Sequence, residues 1–164
     1  MAYYTYLISS LPMLHFGMKP PFSFEKFIER CQGLIPEAEI KALKSGAGLE
    51  QWQAFDKELR NELVRVRAAR KHKAPEKYLR KDGYVSPYIV HIAMSAIRNT
   101  SILEAEKILD EERWQALDGL SFGHYFDLDF LLIYAQKLLI LERWARIRLA
   151  DKPDLLKQAL SENS

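Results

Sequence analysis

From Phe126 to Ala150 the chain keeps a helical pattern of apolar positions with neither Gly nor Pro. At about 100° per residue, Leu131, Tyr134, Leu138, Leu141, Ala145 and Leu149 share one face. Asp129, Gln136 and Arg143 form a narrow polar stripe opposite, and Leu132, Ile133, Leu139, Ile140, Trp144 and Ile147 fill much of what lies between. A helix apolar around most of its circumference is usually wrapped by others. Asp127 suits the N-cap, and Phe126 before it is positioned to pack on Leu131 as a hydrophobic staple. Glu142 and Arg146, four apart, are spaced for an ion pair. The pattern predicts a central helix over 126–150, ended by Lys152-Pro153 and followed by a short tail helix.

The remaining pattern is helical as well. Ala2 to Leu11 is aromatic and apolar, and fits either a strand or a short helix. Met13 to Pro21 reads as an ordered loop in which Met13, Phe16, Met18 and the following Phe22 fold back into the core. Ser23 is a plausible N-cap for a helix through Phe27, Ile28 and Cys31, closed by Gly33. Pro36 suits the first position of the next helix, which Gly46 or Gly48 ends. Trp52, Phe55, Leu59, Leu63 and Val66 then follow helical spacing within a segment from Leu49 to about Lys73. Ser86-Pro87 opens a helix with Ile89, Val90, Ala93, Met94 and Ile97 inward. Ser101 with Glu104 forms a capping-box signature before a helix carrying Leu103, Ile108, Leu109, Trp114 and Leu117. The expected architecture is all-α, a single helical domain over 1–164 with six or seven helices.

Charge changes this picture at one place. Residues 60–81 hold nine Lys or Arg against Glu62 and Glu76, although the whole chain carries a net charge of only +2. The apolar periodicity stops after Val66, so residues 66–83 read as a basic arm or connector protruding from the body. Arg67, Arg70, Lys71, Lys73, Lys77, Arg80 and Lys81 are its candidate partner-binding residues. Three readings fit: a solvated helix end suited to the C-terminal dipole, a docking surface for an acidic protein, or phosphate contacts with Tyr78 or Tyr84 stacking on bases.

Candidate chemistry is sparse. Cys31 is the one cysteine, which excludes an intrachain disulfide and a multi-cysteine metal site. It reads as a small buried hydrophobe and fits a reducing cytosol. The four histidines are scattered, and His124 with Asp127 and Asp129 reads as a loop histidine beside acids that complement a helix dipole. No phosphate-cradling glycine loop or nucleophile elbow occurs. The expectation is a protein with no catalytic, cofactor-binding or metal-binding residues. No signal peptide is visible, and Gln136 and Lys137 interrupt the best apolar run, so no membrane span is predicted. Lys107-Ile108-Leu109 with Glu112-Arg113-Trp114 echoes Lys137-Leu138-Leu139 with Glu142-Arg143-Trp144; duplication and coincidence both produce such an echo.

The opening YYTYLISSLPML and the later FGHYFDLDFLLIYAQKLLILERW together resemble an uncharacterised bacterial family encoded beside the genes of V/A-type rotary ATPases. Tyr4, Leu7, Ser10, Leu11 and Pro12 match its opening motif. Phe126, Asp127, Leu131 or Leu132, Tyr134, Lys137, Leu138, Glu142, Arg143 and Trp144 match its later one. That family is distantly similar to the C-subunit of V/A-type ATPases, the helical socket between the central stalk and the membrane ring. The resemblance implies a non-catalytic, C-subunit-like protein that binds ATPase stalk or ring subunits and needs no cofactor. It would be cytoplasmic and peripheral at the inner face of the membrane through those partners. The chain is shorter than a typical C-subunit, so it is expected to supply only part of such a socket. The alternative is a helical nucleic-acid-binding module that uses the basic arm. The motif residues Tyr4, Ser10, Pro12, Phe126, Asp127, Tyr134, Lys137, Glu142, Arg143 and Trp144 are expected to be structural first.

Overall fold

A computed structural model describes residues 2–71 and 86–162, the stretch 151–162 as backbone. The fold is all-α, with seven helices and no strand among the described residues. Packing groups the chain into two compact units, Met1–Gly48 with Gly123–Ser164, and Leu49–Phe122.

In the first unit α1 (Tyr4–Ser9), α2 (Phe24–Cys31) and α3 (Glu37–Ser45) accompany α7 (Leu128–Glu162); α2 and α3 pack on α7 and on each other. The aromatic opening, whose pattern fits strand and helix alike, is helical and buries Leu7 and Ile8. Ser23 caps α2 by accepting the Lys26 N–H at 3.2 Å. Cys31 is fully buried at the end of that helix, and burial pushes its thiol up to about 12. Pro36 stands at the N-cap of α3, one position earlier than predicted, and Gly46 closes the helix at φ 72°. That left-handed turn suits a residue without Cβ. In the loop before α2, Leu14 is buried but Met13 is 75% exposed, against the expectation that it folds inward. Leu14 is the side chain with which this loop anchors itself in the core, and Met13 beside it faces water.

Two expectations for α7 are corrected. The helix runs through Lys152-Pro153 to Glu162 instead of ending there. Proline costs one backbone hydrogen bond, and its fixed φ is itself helical; the helix formers on both sides outweigh that loss. Leu149 lies outside the core although it shares a face with the buried Leu131, Leu138 and Leu141, because the short α2 and α3 cover only part of so long a helix. Phe126 is 53% exposed while Leu131 is fully buried. The Phe126 ring of the predicted staple also lines a surface hollow.

The second unit is α4 (Glu50–Arg70), α5 (Pro87–Ile97) and α6 (Ile102–Leu120), each packed on the other two. Leu59, Leu63, Ile89, Ile92, Ala93, Ala96 and Leu109 form its apolar core. Full burial of the Leu and Ile side chains among them contributes about 1.5–3 kcal/mol each. Ser86 and Ser101 cap α5 and α6 by accepting the N–H groups of Tyr88 and Glu104, both at 3.3 Å. The inward face of α5 is Ile89, Ile92, Ala93 and Ala96 rather than one containing Met94. These four follow i, i+3, i+4, i+7 spacing, and Met94 lies well round the helix from them. Leu103, predicted inward, is 47% exposed beside the 83% exposed Ile102. The first turn of α6 overhangs the core, which begins at Ala105 and Leu109.

Candidate interaction surfaces

The residues of the two end motifs meet inside the first unit. The Tyr134 hydroxyl donates to the Pro12 carbonyl at 2.8 Å, across 122 residues of sequence. Its ring packs 5.3 Å from Phe27 and within 6.4 Å of Phe22 and Phe130, centroid to centroid. Burial pushes the phenol up to about 12, against the opposing pull of the Arg30 charge. Glu142 accepts the Phe24 N–H at 2.7 Å, so a carboxylate from α7 caps the first turn of α2, where backbone donors lack partners and the helix dipole favours negative charge. Its long-range partner is thus a backbone group, one that the spacing to Arg146 does not indicate. Arg148 reaches the Gly17 carbonyl at 3.0 Å. Ser10 donates to the Leu7 carbonyl at 2.6 Å, closing α1. The Tyr4 hydroxyl donates to Glu39; burial, that hydrogen bond and the nearby negative charge raise its pKa. Trp144 is buried, and Lys137 and Arg143 are half-buried on the same helix.

Asp127 caps α7 as predicted. One carboxylate oxygen accepts the Phe130 N–H at 3.0 Å, and the other lies 2.6 Å from His124 Nδ1. Asp129 adds a second carboxylate 3.4 Å from that nitrogen. The hydrogen bond to Asp127 raises the His124 pKa; desolvation opposes it, and the negative charges of Asp127 and Asp129 add to the rise. Desolvation pushes Asp127 up, but the His124 and Phe130 hydrogen bonds prevail and lower it. This is the dipole-complementing arrangement read from the sequence. Among the described residues no group of three or more His, Cys, Asp or Glu is arranged to hold a metal ion.

Of the basic candidates, Arg67, Arg70 and Lys71 are exposed at the end of α4. Lys73, Lys77, Arg80 and Lys81, with Tyr78 and Tyr84, lie outside the described residues. The three described cations border a groove of about 270 Å³ whose apolar lining includes Leu63, Ala96, Ile97, Ala105 and Leu109. Arg67 comes within 3.8 Å of Glu106, and Arg70 donates to the Ile97 carbonyl at 3.4 Å. A second surface lies in the first unit, where Tyr3, Tyr6 and Phe126 are exposed around a shallow hollow of about 550 Å³.

Sequence reasoning missed the buried charge cluster of the second unit. Arg113 binds Asp110 and Asp56, both at 2.9 Å, and its side chain is 11% exposed against 2% for Asp110. Burial disfavours the guanidinium charge, but the two carboxylates outweigh it and raise the pKa. The i, i+3 spacing of Asp110 and Arg113 was a visible signal; Asp56, a long way off in sequence, gave none. Tyr88 donates to Glu112 at 2.5 Å, which together with burial raises the phenol pKa.

A family model described as a protein of unknown function (DUF2764) matches residues 87–160. The match runs from the start of α5 into the last turns of α7, so it contains the later motif but not the opening one. No curated protein matches the chain. No solved structure matches it. No helix among the described residues is long and apolar enough to cross a membrane.

Proposed function

We propose that the chain is a non-catalytic helical interaction protein of a V/A-type rotary ATPase, similar in role to its C-subunit. In this reading it binds stalk or ring subunits from the cytoplasmic side and reaches the membrane only through them. The resemblance of the two end motifs supplies the ATPase association. The observation that supports it most is the bond from Tyr134 to Pro12, because it joins a residue of one motif to a residue of the other. Residues shared with that family are thereby engaged in holding a helical body together, with Glu142 and Asp127 acting as caps. A body built in this way offers surfaces rather than a reaction centre.

The test is affinity purification of the tagged chain from its native host after nuclease treatment. Recovery of ATPase stalk or ring subunits is the expected result, and their repeated absence from native complexes overturns the reading. The rival, a nucleic-acid-binding module, is motivated by the exposed Arg67, Arg70 and Lys71. It requires an affinity that falls steeply with salt as phosphate-bound counterions are released. Binding that is weak and indifferent to salt removes it.

A further inference from the structure

We propose that the groove of the second unit is the docking site for an acidic amphipathic helix of a partner protein. The proposal rests on the interaction reading above and names the chemistry of the partner.

Three features lead there. The floor is apolar and leaves room: Ala96 and Ala105 are small, while Leu63 and Leu109 are buried beneath. At the lip Ile102 is 83% exposed, so a branched aliphatic chain already stands in water beside an apolar hollow. Among the described residues the rim carries Arg67, Arg70 and Lys71 against one carboxylate, that of Glu106. A helix end that merely suits its own dipole needs cations but no apolar groove beside them.

The contacts these arginines make are long. Arg67 is 3.8 Å from Glu106 with its side chain 57% exposed, and Arg70 meets the Ile97 carbonyl at 3.4 Å. A bidentate carboxylate pairs with a guanidinium at about 2.7–2.9 Å and more strongly than a neutral carbonyl does. Incoming acidic side chains would therefore replace both contacts with better ones. A volume of about 270 Å³ has room for one or two aliphatic or aromatic side chains. Phosphodiester backbone would meet the cations but leave the floor empty. The described residues offer no strand edge for an extended peptide to join. A helix laid between α4 and the start of α6, with apolar anchors inward and carboxylates toward the rim, satisfies floor and rim together.

The test selects a display library of helical segments, with randomised surface positions, against the purified full-length chain. Binders rich in Asp and Glu with at least one large apolar anchor are expected. Their affinity should fall at least about tenfold with Ile102→Ser, and again with Arg70→Glu. Both side chains are exposed, so the variants retain the fold, which circular dichroism checks. Lys-for-Glu exchange in the peptide should restore binding to Arg70→Glu. Failure to recover helical binders overturns the proposal, as do binders indifferent to both substitutions. A peptide whose anchor is changed to Ser and still binds equally well also overturns it, because charge alone then accounts for the attraction. So does a groove that takes laurate but no peptide. Peptide binding without ATPase recovery from the host leaves the groove standing and removes the ATPase reading. ATPase recovery that Ile102→Ser and Arg70→Glu leave unchanged does the reverse.

Discussion

In the first unit α1 is tied to α3 by the Tyr4 and Glu39 side chains, whereas the polar links of α7 run from its side chains to backbone of residues 12–24: Tyr134 to the Pro12 carbonyl, Glu142 from the Phe24 N–H, and Arg148 to the Gly17 carbonyl. In the second unit the buried link joins side chains, with Arg113 held between Asp56 and Asp110. The echoed E-R-W segments stand on opposite sides of this contrast. Glu142 caps another helix through its backbone, whereas Glu112 takes the Tyr88 hydroxyl. Leu109 is buried, yet Leu139 at the corresponding place is 37% exposed. The same short sequence thus serves two packings. Backbone-directed bonds tie down loops and helix ends that have few apolar contacts of their own; side-chain ion pairs join helices that already pack.

The contrast is broken most severely in the second unit. Arg113→Ala removes the guanidinium that holds the buried Asp110 carboxylate and that of Asp56, and denaturant unfolding should record a loss of about 3–5 kcal/mol. In the first unit Gly48→Ala should cost about 1–3 kcal/mol. Its φ is 106°, and a Cβ there would stand 3.0 Å from Leu132 Cδ1; a shift in Tm of the purified variant is the check. Tyr134→Phe keeps the ring stack and removes only the bond to Pro12, for an expected loss of about 1 kcal/mol. Glu142→Gln retains an acceptor for Phe24 and should cost less than Tyr134→Phe in the same assay. If Tyr134→Phe proved as damaging as Arg113→Ala, the distinction between the units would fail.

The smallest effect concerns pH. His124 is raised above its ordinary 6.5, so the stability it draws from Asp127 is fully present below that value and is lost as pH rises through the folded pKa. Asp127 is lowered below 3.8, so its share is present above that value and is lost as pH falls through its folded pKa. An NMR titration of His124 should give a midpoint above 6.5, returning toward it in Asp127→Asn. Cys31 offers a reporter of the first unit: with its thiol buried and pushed up to about 12, a disulfide reagent should label it only as fast as that unit opens.

Much of the fold was legible where the signal is local. Ser23, Ser86, Ser101 and Asp127 all cap the helices they precede, because a short polar side chain before an apolar run answers a need within one turn. What pattern could not supply was partnership at a distance. Glu142 reads as a helix-surface acid until Phe24 is brought beside it, and Asp56 reads likewise until Arg113 arrives. The inward face of α5 was misread because its chain offers more apolar positions than one face holds, and only the placement of α4 and α6 chooses among them. The groove left no trace in the sequence beyond the basic run, since its floor comes from three helices.

The chain order of the first unit has a consequence for biosynthesis. Residues up to Gly48 leave the ribosome well before α7, with the whole of the second unit translated in between. At about 5–20 residues per second that interval is on the order of ten seconds. Throughout it α2 and α3 have only each other to pack on and Phe27 lacks the Tyr134 ring, whereas α4, α5 and α6 can close on one another as they emerge. Residues 2–48 are therefore a part of the nascent chain that a chaperone would hold, and their release waits on α7.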